Sequence, residues 1–298
     1  MPTLYFYCNN TVFTNIIRKK EIWLSDMNYS NDYAEIIGFT KPLVDIFKEN
    51  ITSIEFTLNE YGYDSKACMQ KLIKMYENYV NNKLKSLYCL AICFSKRRDD
   101  LSQWRAYGDA GKGFAIGFNE EILLQIANSH KLLSLKEICY EETIKIKHIT
   151  NYTINFINEI QEMIKKNKGR LDLFKKKGLF AQFISQKLDD ILKYAPFYKN
   201  EGFRAEDEVR LAYIRTIFPI QFENIKPDSF LNKFDCRVND DKIIPYLTVP
   251  INDNAKAISE IIIGPCNGTT LQTLSIFLAK HKVSTNNITE SVVSFRIK

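Results

Sequence analysis

A charged patch that could do chemistry lies in the stretch EDEVRLAY, residues 206–213. Alternate residues of a β-strand point to the same face, so a strand here would place Glu206, Glu208 and Arg210 side by side. Two carboxylates beside a guanidinium can accept hydrogen bonds from ligand hydroxyls, and a carboxylate next to a sugar ring can stabilise an oxocarbenium-like transition state. Composition alone favours the alternative, an exposed strand on which Arg210 neutralises its neighbours.

A second group combines aromatic rings with an arginine. The stretch SQWRAYG, residues 102–108, follows CFS at 93–95 and precedes GFAIGF at 113–118. In a helical turn Trp104 and Tyr107 share a face because they are three residues apart, and Arg105 lies next to them. Two flat rings beside an arginine suit a nucleobase or a nicotinamide ring with a phosphate nearby. The same residues also suit ordinary packing of a helix against a sheet, which is the commoner arrangement.

Several other catalytic classes find little support. The histidines His130, His148 and His281 lack the spacing of a metal site or a catalytic triad, and no GxSxG, HExxH or Walker-type sequence occurs. The glycine-rich stretch GKGFAIG, residues 111–117, lacks the preceding strand and the following helix of a dinucleotide fingerprint. We therefore expect no bound metal, and neither a triad hydrolase nor a Rossmann enzyme.

Signals for membrane insertion and export are absent from the sequence, and this predicts where the protein is located. Its longest uninterrupted apolar run, Leu87–Phe94, has eight residues, against about 20 in a membrane-spanning helix. The opening MPTLYFYCNN has no basic region, long apolar stretch or cleavage site. The seven cysteines are an odd number spread over a long chain, which predicts reduced thiols. We expect a soluble, cytoplasmic protein.

Positive charge is concentrated in one segment. The chain carries a net charge of +6, but residues 143–199 hold 12 lysines or arginines against five acids, which leaves the rest of the chain near neutrality. A basic segment on a near-neutral body is typical of a face for a polyanion, and nucleic acid is the commonest one in a cytoplasm. Its densest point is the candidate nucleic-acid-binding cluster Lys175, Lys176 and Lys177. The alternative is a solvated helix face in a chain rich in lysine, asparagine and isoleucine.

The pattern of elements predicts an α+β fold in one domain, residues 1–298. With 298 residues, 45% of them hydrophobic, the chain can bury a sizeable core, and no repeat or linker divides it. Apolar runs predict strands at the start, middle and end of the chain, and helical periodicity fills two long insertions, about 41–86 and 143–199. The predicted strands are Leu4–Cys8, Glu21–Ser25, Ser86–Ser95, Phe114–Phe118, Glu206–Ile214, Ile258–Gly264 and Ser291–Ile297, and the shorter predicted helices are Thr11–Lys20, capped by Asn10 or Thr11, and Leu271–Lys280.

Three stretches in this order resemble a known family. They are LYFYCNNTVFTNIIRKKEIWLSDMNYSND from residue 4, CFSKRRDDLSQWRAYGDAGKGFAIGF from residue 93, and YKNEGFRAEDEVRL from residue 198. The set resembles a large bacterial family long catalogued as a domain of unknown function, which is similar to ADP-ribosyltransferases of the diphtheria-toxin-like and nucleic-acid-modifying kinds. The resemblance covers about residues 4–35, 86–120, 196–214 and 258–265, which is about a third of the chain.

The resemblance implies a split, mixed β-sheet with two helical insertions and a cleft that binds NAD. Glu208 would be the catalytic acid. The remaining residues implied for the cleft are Tyr7, Asn31 and Asp32 at the nicotinamide side, Ser95, Trp104 and Tyr107 along the ring, Arg105 near a phosphate, and Glu206 and Arg210 beside Glu208. Relatives often carry a polar ribose-binding residue near position 6, where this chain has Phe6.

The activity expected from the resemblance is mono-ADP-ribosyl transfer from NAD, without a metal. The basic segment favours a nucleic acid as acceptor, with a protein as second choice. A toxin or anti-phage effector of this kind is expected to have a neutralising antitoxin partner. Two alternative functions stay open: the protein could be an enzyme that only hydrolyses NAD, or a non-enzymatic module that binds nucleic acid.

Overall fold

The structure, a computed structural model, describes residues 2–29, 35–167, 178–216, 234–239, 241–251, 257–283 and 287–295. It is an α+β fold. The strands are β1 (Thr3–Cys8), β2 (Glu21–Asp26), β3 (Leu87–Ser95), β4 (Phe114–Asn119), β5 (Leu133–Glu137), β6 (Glu208–Thr216), β7 (Phe234–Asn239), β8 (Lys242–Pro250), β9 (Ile258–Ile263) and β10 (Ile288–Glu290). The helices are α1 (Asn10–Lys19), α2 (Glu35–Asn50), α3 (Glu55–Glu60), α4 (Ser65–Ser86), α5 (Leu101–Ala106), α6 (Glu120–Asn128), α7 (Glu142–Lys166), α8 (Leu179–Leu192) and α9 (Leu271–Lys280). None of the helices in these ranges is long and apolar enough to cross a membrane.

The strands form one open, mixed sheet centred on β3. The order is β10-β9-β4-β1-β3-β2-β8-β7, with β6 also paired to β3 and β5 to β6. Neighbouring strands run antiparallel except β9 and β10, which are parallel. The almost wholly apolar sequence of β3 suits this central position, because both of its faces are covered.

The sheet forks at β3. One edge of β3 pairs with β6 along its whole length, from Leu87 to Ser95. The opposite edge is shared, since β2 pairs with Leu90 and Ala91 while β1 pairs with Ser95. The strands β1 and β2 therefore diverge beside the residues between Ala91 and Ser95, and this divergence leaves a cleft in the sheet.

Four hydrophobic clusters lie among the described residues, and the two largest are separate from each other. Helices α1, α6 and α9 bury apolar side chains against one face of the sheet, among them Phe13, Leu123 and Leu278. The helices of the two insertions, α2, α3, α4, α7 and α8, pack on one another around a second core that contains Phe47, Tyr76 and Phe156. The two insertions, distant in sequence, thus form one helical unit.

Three sequence predictions are corrected by the observed elements. Strand β6 begins at Glu208, so Glu206 lies outside it, because Asp207 takes a left-handed conformation with φ 47°. The closing strand is Ile288–Glu290, whereas residues 291–295 of the predicted strand have no regular structure. Helix α1 is capped by Asn9, whose side chain accepts a hydrogen bond from the Val12 amide.

Strands β5, β7 and β8 were not predicted. Strands β7 and β8 form a hairpin at the edge of the sheet. Strand β8 contains Pro245, and a proline weakens the strand signal of a sequence because it removes a hydrogen-bond donor. The remaining predicted strands and helices lie within a few residues of the observed ones.

Candidate active site

Two adjoining cavities open in the fork of the sheet. The larger, of about 340 Å³, lies between β1 with the start of α1 on one side and β2 on the other, over the floor of β3. The smaller, of about 200 Å³, extends toward Glu206 and Glu208. Both cavities are lined by Phe6, Tyr7, Cys93, Tyr107 and Arg210. Together they reach the size of small-molecule sites.

A bidentate ion pair stands at the end of the smaller cavity. Arg210 Nε donates to Glu208 Oε1 at 2.7 Å, and its Nη2 donates to Oε2 at 3.0 Å. The two residues are only 1% and 5% exposed, so the alternative of an exposed strand is wrong. Arg210 Nη1 also donates to the Pro196 carbonyl oxygen at 2.6 Å. The guanidinium is thus fixed by the 3₁₀ turn Ala195–Phe197 as well as by the carboxylate.

Lys199 joins the two glutamates. Its Nζ lies 2.5 Å from Glu206 Oε2 and 3.1 Å from Glu208 Oε2, and its side chain is 6% exposed. The backbone amide of Lys199 donates to the Cys139 carbonyl oxygen, which holds the residue beside the sheet. In the sequence Lys199 belongs to the basic segment, and its place in the site was not predicted. A lysine at the end of a charged run carries no signal that distinguishes a buried partner from a surface charge.

Glu206 is positioned by the residues around it. Tyr107 Oη donates to its Oε1 at 2.6 Å, and Ser95 Oγ donates to its backbone carbonyl oxygen at 2.7 Å. Glu206, Glu208 and Arg210 do come together as predicted, but Glu206 reaches the cluster from the turn before β6. Ser95 and Tyr107 line the smaller cavity, where the sequence analysis placed them.

The charge state of the cluster follows from its pairing. Burial by itself raises the pKa of the Glu208 carboxyl, but the charge and hydrogen bonds of Arg210, and then the charge of Lys199, outweigh it and lower the pKa to about 2. Glu208 is therefore ionised at neutral pH. With two carboxylates and two cations, the cluster as a whole is neutral.

Cys93 is a thiol on the floor shared by both cavities. It lies opposite Arg210 in the pairing of β3 with β6, and solvent reaches it although protein atoms surround it on most sides. Burial, and then the negative charge of Glu208, raise the pKa of this thiol well above its usual value. Cys93 is thus a protonated thiol beside Glu208 and Arg210 and not a thiolate nucleophile. No role was predicted for Cys93 from the sequence.

Tyr7 faces both cavities, and Trp104 lies behind it. Tyr7 Oη donates to the Arg97 carbonyl oxygen at 2.8 Å, which fixes the ring at the cleft wall. Trp104 is 0% exposed and packs edge-on against Tyr7, with ring centroids 4.8 Å apart. Its indole Nε1 donates to Asp99 Oδ1 at 2.7 Å. The expected stacking of Trp104 on a ligand ring is corrected, because the side chain is enclosed in the core and lines neither cavity.

The structure does not bring the other predicted residues to the cleft. Arg105 is exposed, and its guanidinium lies 5.2 Å from the centre of the Phe295 ring, away from the residues that line the cavities. Asn31 and Asp32 lie outside the described residues, as do Lys175, Lys176 and Lys177.

The described lysines of the basic segment are largely paired. Lys145, Lys165 and Lys193 form ion pairs with acids three residues away, and Lys187 pairs with Glu159. These contacts reduce the free positive charge that the segment presents. Over the residues that the structure describes, no group of three or more histidine, cysteine or acidic side chains is arranged to hold a metal ion.

Comparison with known proteins gives one finding. A family model described as a protein of unknown function (DUF2971) matches residues 103–211. The match begins just before Trp104 and ends just after Arg210, so it includes the charged cluster but not β1 or β2. Neither a curated protein nor a solved structure matches the chain.

Proposed function

We propose that this protein is a mono-ADP-ribosyltransferase that binds NAD in the cleft and transfers ADP-ribose to a macromolecule. One observation carries the proposal, namely that an ionised, buried carboxylate, Glu208, stands at the wall of a cavity in the fork of the sheet. Such a group suits a reaction whose transition state carries positive charge on a sugar. The sequence resemblance to ADP-ribosyltransferases supports the same activity.

In the proposed reaction NAD is the substrate, and the bond between the nicotinamide nitrogen and ribose C1′ breaks ahead of attack. The bonding electrons leave with nicotinamide, and the ribose becomes cationic. An oxygen or nitrogen of the acceptor then forms a bond to C1′ and loses its proton to solvent. Glu208 would accept a hydrogen bond from the ribose 2′-hydroxyl and stabilise the developing charge.

The hydrogen bonds of Glu208 define how a ribose could reach it. A carboxylate has about four acceptor positions, and Glu208 accepts two hydrogen bonds from Arg210 and one from Lys199. The Cys93 thiol lies on the cavity floor beside these residues. A ribose hydroxyl would therefore take the remaining acceptor position of Glu208 and leave the two cations in place.

Because the cluster as a whole is neutral, the charge of Glu208 would stabilise a cationic ribose only in part. Because Arg210 and Lys199 already face Glu208, its main contribution would be to orient the 2′-hydroxyl, with a smaller electrostatic effect on the cationic ribose. Lys199 also contacts Glu206, so Glu206 would act through Lys199 and Tyr107 on the geometry of the pair.

A nucleic acid is our proposed acceptor, and a protein side chain is the second choice. This choice rests on the excess charge of residues 143–199, part of which lies outside the described residues. A toxin or defence role, with a neutralising partner, would follow from such an activity in the cytoplasm.

Incubation with labelled NAD tests the proposal. The protein is incubated alone and with RNA, DNA or a cell lysate, and label is followed in macromolecular and free fractions. Label on a macromolecule supports the transferase, and the fraction that carries it identifies the acceptor. Free ADP-ribose without transfer would show an NAD hydrolase. Unchanged NAD under all four conditions would refute both activities and favour a binding module.

A further inference from the structure

A second arginine faces the larger cavity, at a distance from the charged cluster along the sheet. Arg237 lies on β7, opposite Ile244 of β8, and both side chains line that cavity. The cavity is therefore lined by two guanidinium groups, Arg210 and Arg237. Arg210 is bound to Glu208 and to the Pro196 carbonyl oxygen, so the two arginines differ in what they can still bind.

Among the residues that the structure describes, Arg237 has no comparable partner. Its Nε is buried and, across the described ranges, has no hydrogen-bond partner. The nearest acid on the same face of β7 is Asp235, two residues earlier. The Asp235 carboxylate accepts hydrogen bonds from Tyr246 Oη at 2.9 Å and from the Cys236 amide at 2.7 Å, so it is already engaged.

The unpartnered Nε of Arg237 is costly. A polar atom removed from water without a hydrogen-bond partner destabilises the protein, and buried polar atoms are nearly always hydrogen-bonded. Arginine presents a planar set of donors that matches the oxygens of a phosphate, and it keeps its charge at all physiological pH values. An anion bound in the cavity would offset the cost of burying Arg237.

Other groups around the larger cavity are compatible with an anion. The first turn of α1 lines the cavity through Asn9 and Val12, and the start of a helix carries a partial positive charge. The one carboxyl group among the described lining residues is Asp26. Asp26 is 7% exposed, its carboxyl accepts a hydrogen bond from the Asn28 amide, and burial raises the pKa of this carboxyl.

We infer that Arg237, with the first turn of α1, forms an anion subsite that binds the phosphate groups of a ligand lying in the larger cavity. Because this cavity adjoins the one at Glu208, the same ligand can place a sugar hydroxyl at the carboxylate and a phosphate at Arg237. The ligand class is therefore a phosphorylated sugar compound such as a dinucleotide. Identifying the anion as the pyrophosphate of NAD rests on the proposed function, whereas the subsite itself does not.

Titration calorimetry with inorganic pyrophosphate tests the subsite without NAD. The variants are Arg237→Gln and Arg237→Lys, with Arg18→Gln as the matched control, since Arg18 is an exposed arginine of α1 that lines neither cavity. Loss of charge-assisted hydrogen bonds should weaken binding about tenfold or more in Arg237→Gln. Arg237→Lys should lie between this variant and the wild type, and Arg18→Gln should bind as the wild type does. Melting temperatures on the same samples report whether each variant is folded.

The outcomes separate the subsite from the activity. Equal pyrophosphate affinity in wild type and Arg237→Gln would overturn the subsite, and so would the absence of pyrophosphate binding to the wild type. An equal loss in Arg18→Gln would also overturn it, because the effect would then come from net charge alone. Pyrophosphate binding that depends on Arg237, in a protein that leaves NAD unchanged, would uphold the subsite and refute the proposed function.

Discussion

Replacing Glu208 by glutamine should cost both activity and stability, since the carboxylate is the shared anion of two buried cations. The amide keeps the shape and one acceptor oxygen but removes the charge. The lowering of the Glu208 pKa from 4.5 to about 2 corresponds to about 3 kcal/mol of stability at neutral pH. Breaking a buried ion pair by removing one partner typically costs about 3–5 kcal/mol. This range agrees with the free energy obtained from the pKa shift. If the proposed function holds, ADP-ribosyl transfer should also fall about 100-fold or more.

The pH dependence gives an independent signature of the same pair. A folded-state pKa below the unfolded one means that the stabilisation is fully present above pH 4.5 and is lost as the pH falls toward 2. The wild type should therefore lose about 3 kcal/mol from this group over that range. Glu208→Gln should lack this part of the acid dependence, so the two stability curves should converge at low pH.

Urea unfolding at pH 7 and at several values down to pH 2 measures both effects. Glu137→Gln is the matched control, because Glu137 pairs with Lys96 at 2.5 Å but its side chain is 68% exposed. An exposed pair contributes about 0–1 kcal/mol, so this variant should be nearly as stable as the wild type. Equal stability of Glu208→Gln and the wild type at pH 7 would refute the ion-pair reasoning. Unchanged transfer by folded Glu208→Gln would remove the residue from the reaction.

Three further predictions concern the core, the cleft and the basic segment. Trp104→Ala should cost about 3–5 kcal/mol in urea unfolding and leave the NAD affinity of the folded fraction unchanged; normal stability would contradict its place in the core. Tyr107→Phe should cost about 1 kcal/mol through the lost bond to Glu206 and raise the KM for NAD, and a KM equal to that of the wild type would contradict a role in the cleft. Replacing the cluster 175–177 by glutamines should flatten the logarithmic salt dependence of RNA binding by roughly 2 units, and an unchanged slope would favour a protein acceptor.

The strands at the fork of the sheet position the residues of the cleft. Strand β1 carries Tyr7 and strand β3 carries Cys93, while Glu208 and Arg210 come from β6. Antiparallel pairing aligns Cys93 with Arg210 and Ser95 with Glu208, so a small set of register contacts fixes the spacing of the charged groups. A ligand in the cleft would contact three strands at once, and its binding should therefore depend on the integrity of the sheet.

The sequence alone determined which segments form the core of the fold and which face of β6 carries charge. Apolar runs located β1, β3, β4 and β9, because a strand covered on both faces must be apolar throughout. Strand periodicity placed Glu208 and Arg210 on one face, because alternation depends only on local backbone geometry. The order of the strands and helices along the chain also predicted the α+β class.

Tertiary structure decided what each polar residue contacts. Trp104 and Tyr107 have the spacing of one helical face, yet Tyr107 follows the last residue of α5, and only packing on the sheet put one ring in the core and the other at the cleft. Lys199 contacts Glu206 and Glu208 because the chain turns between Lys199 and β6. Arg237 reached the cleft from a hairpin whose strands had no clear sequence signal. Burial and pairing arise from contacts between residues far apart in the chain, and a single sequence does not record those contacts.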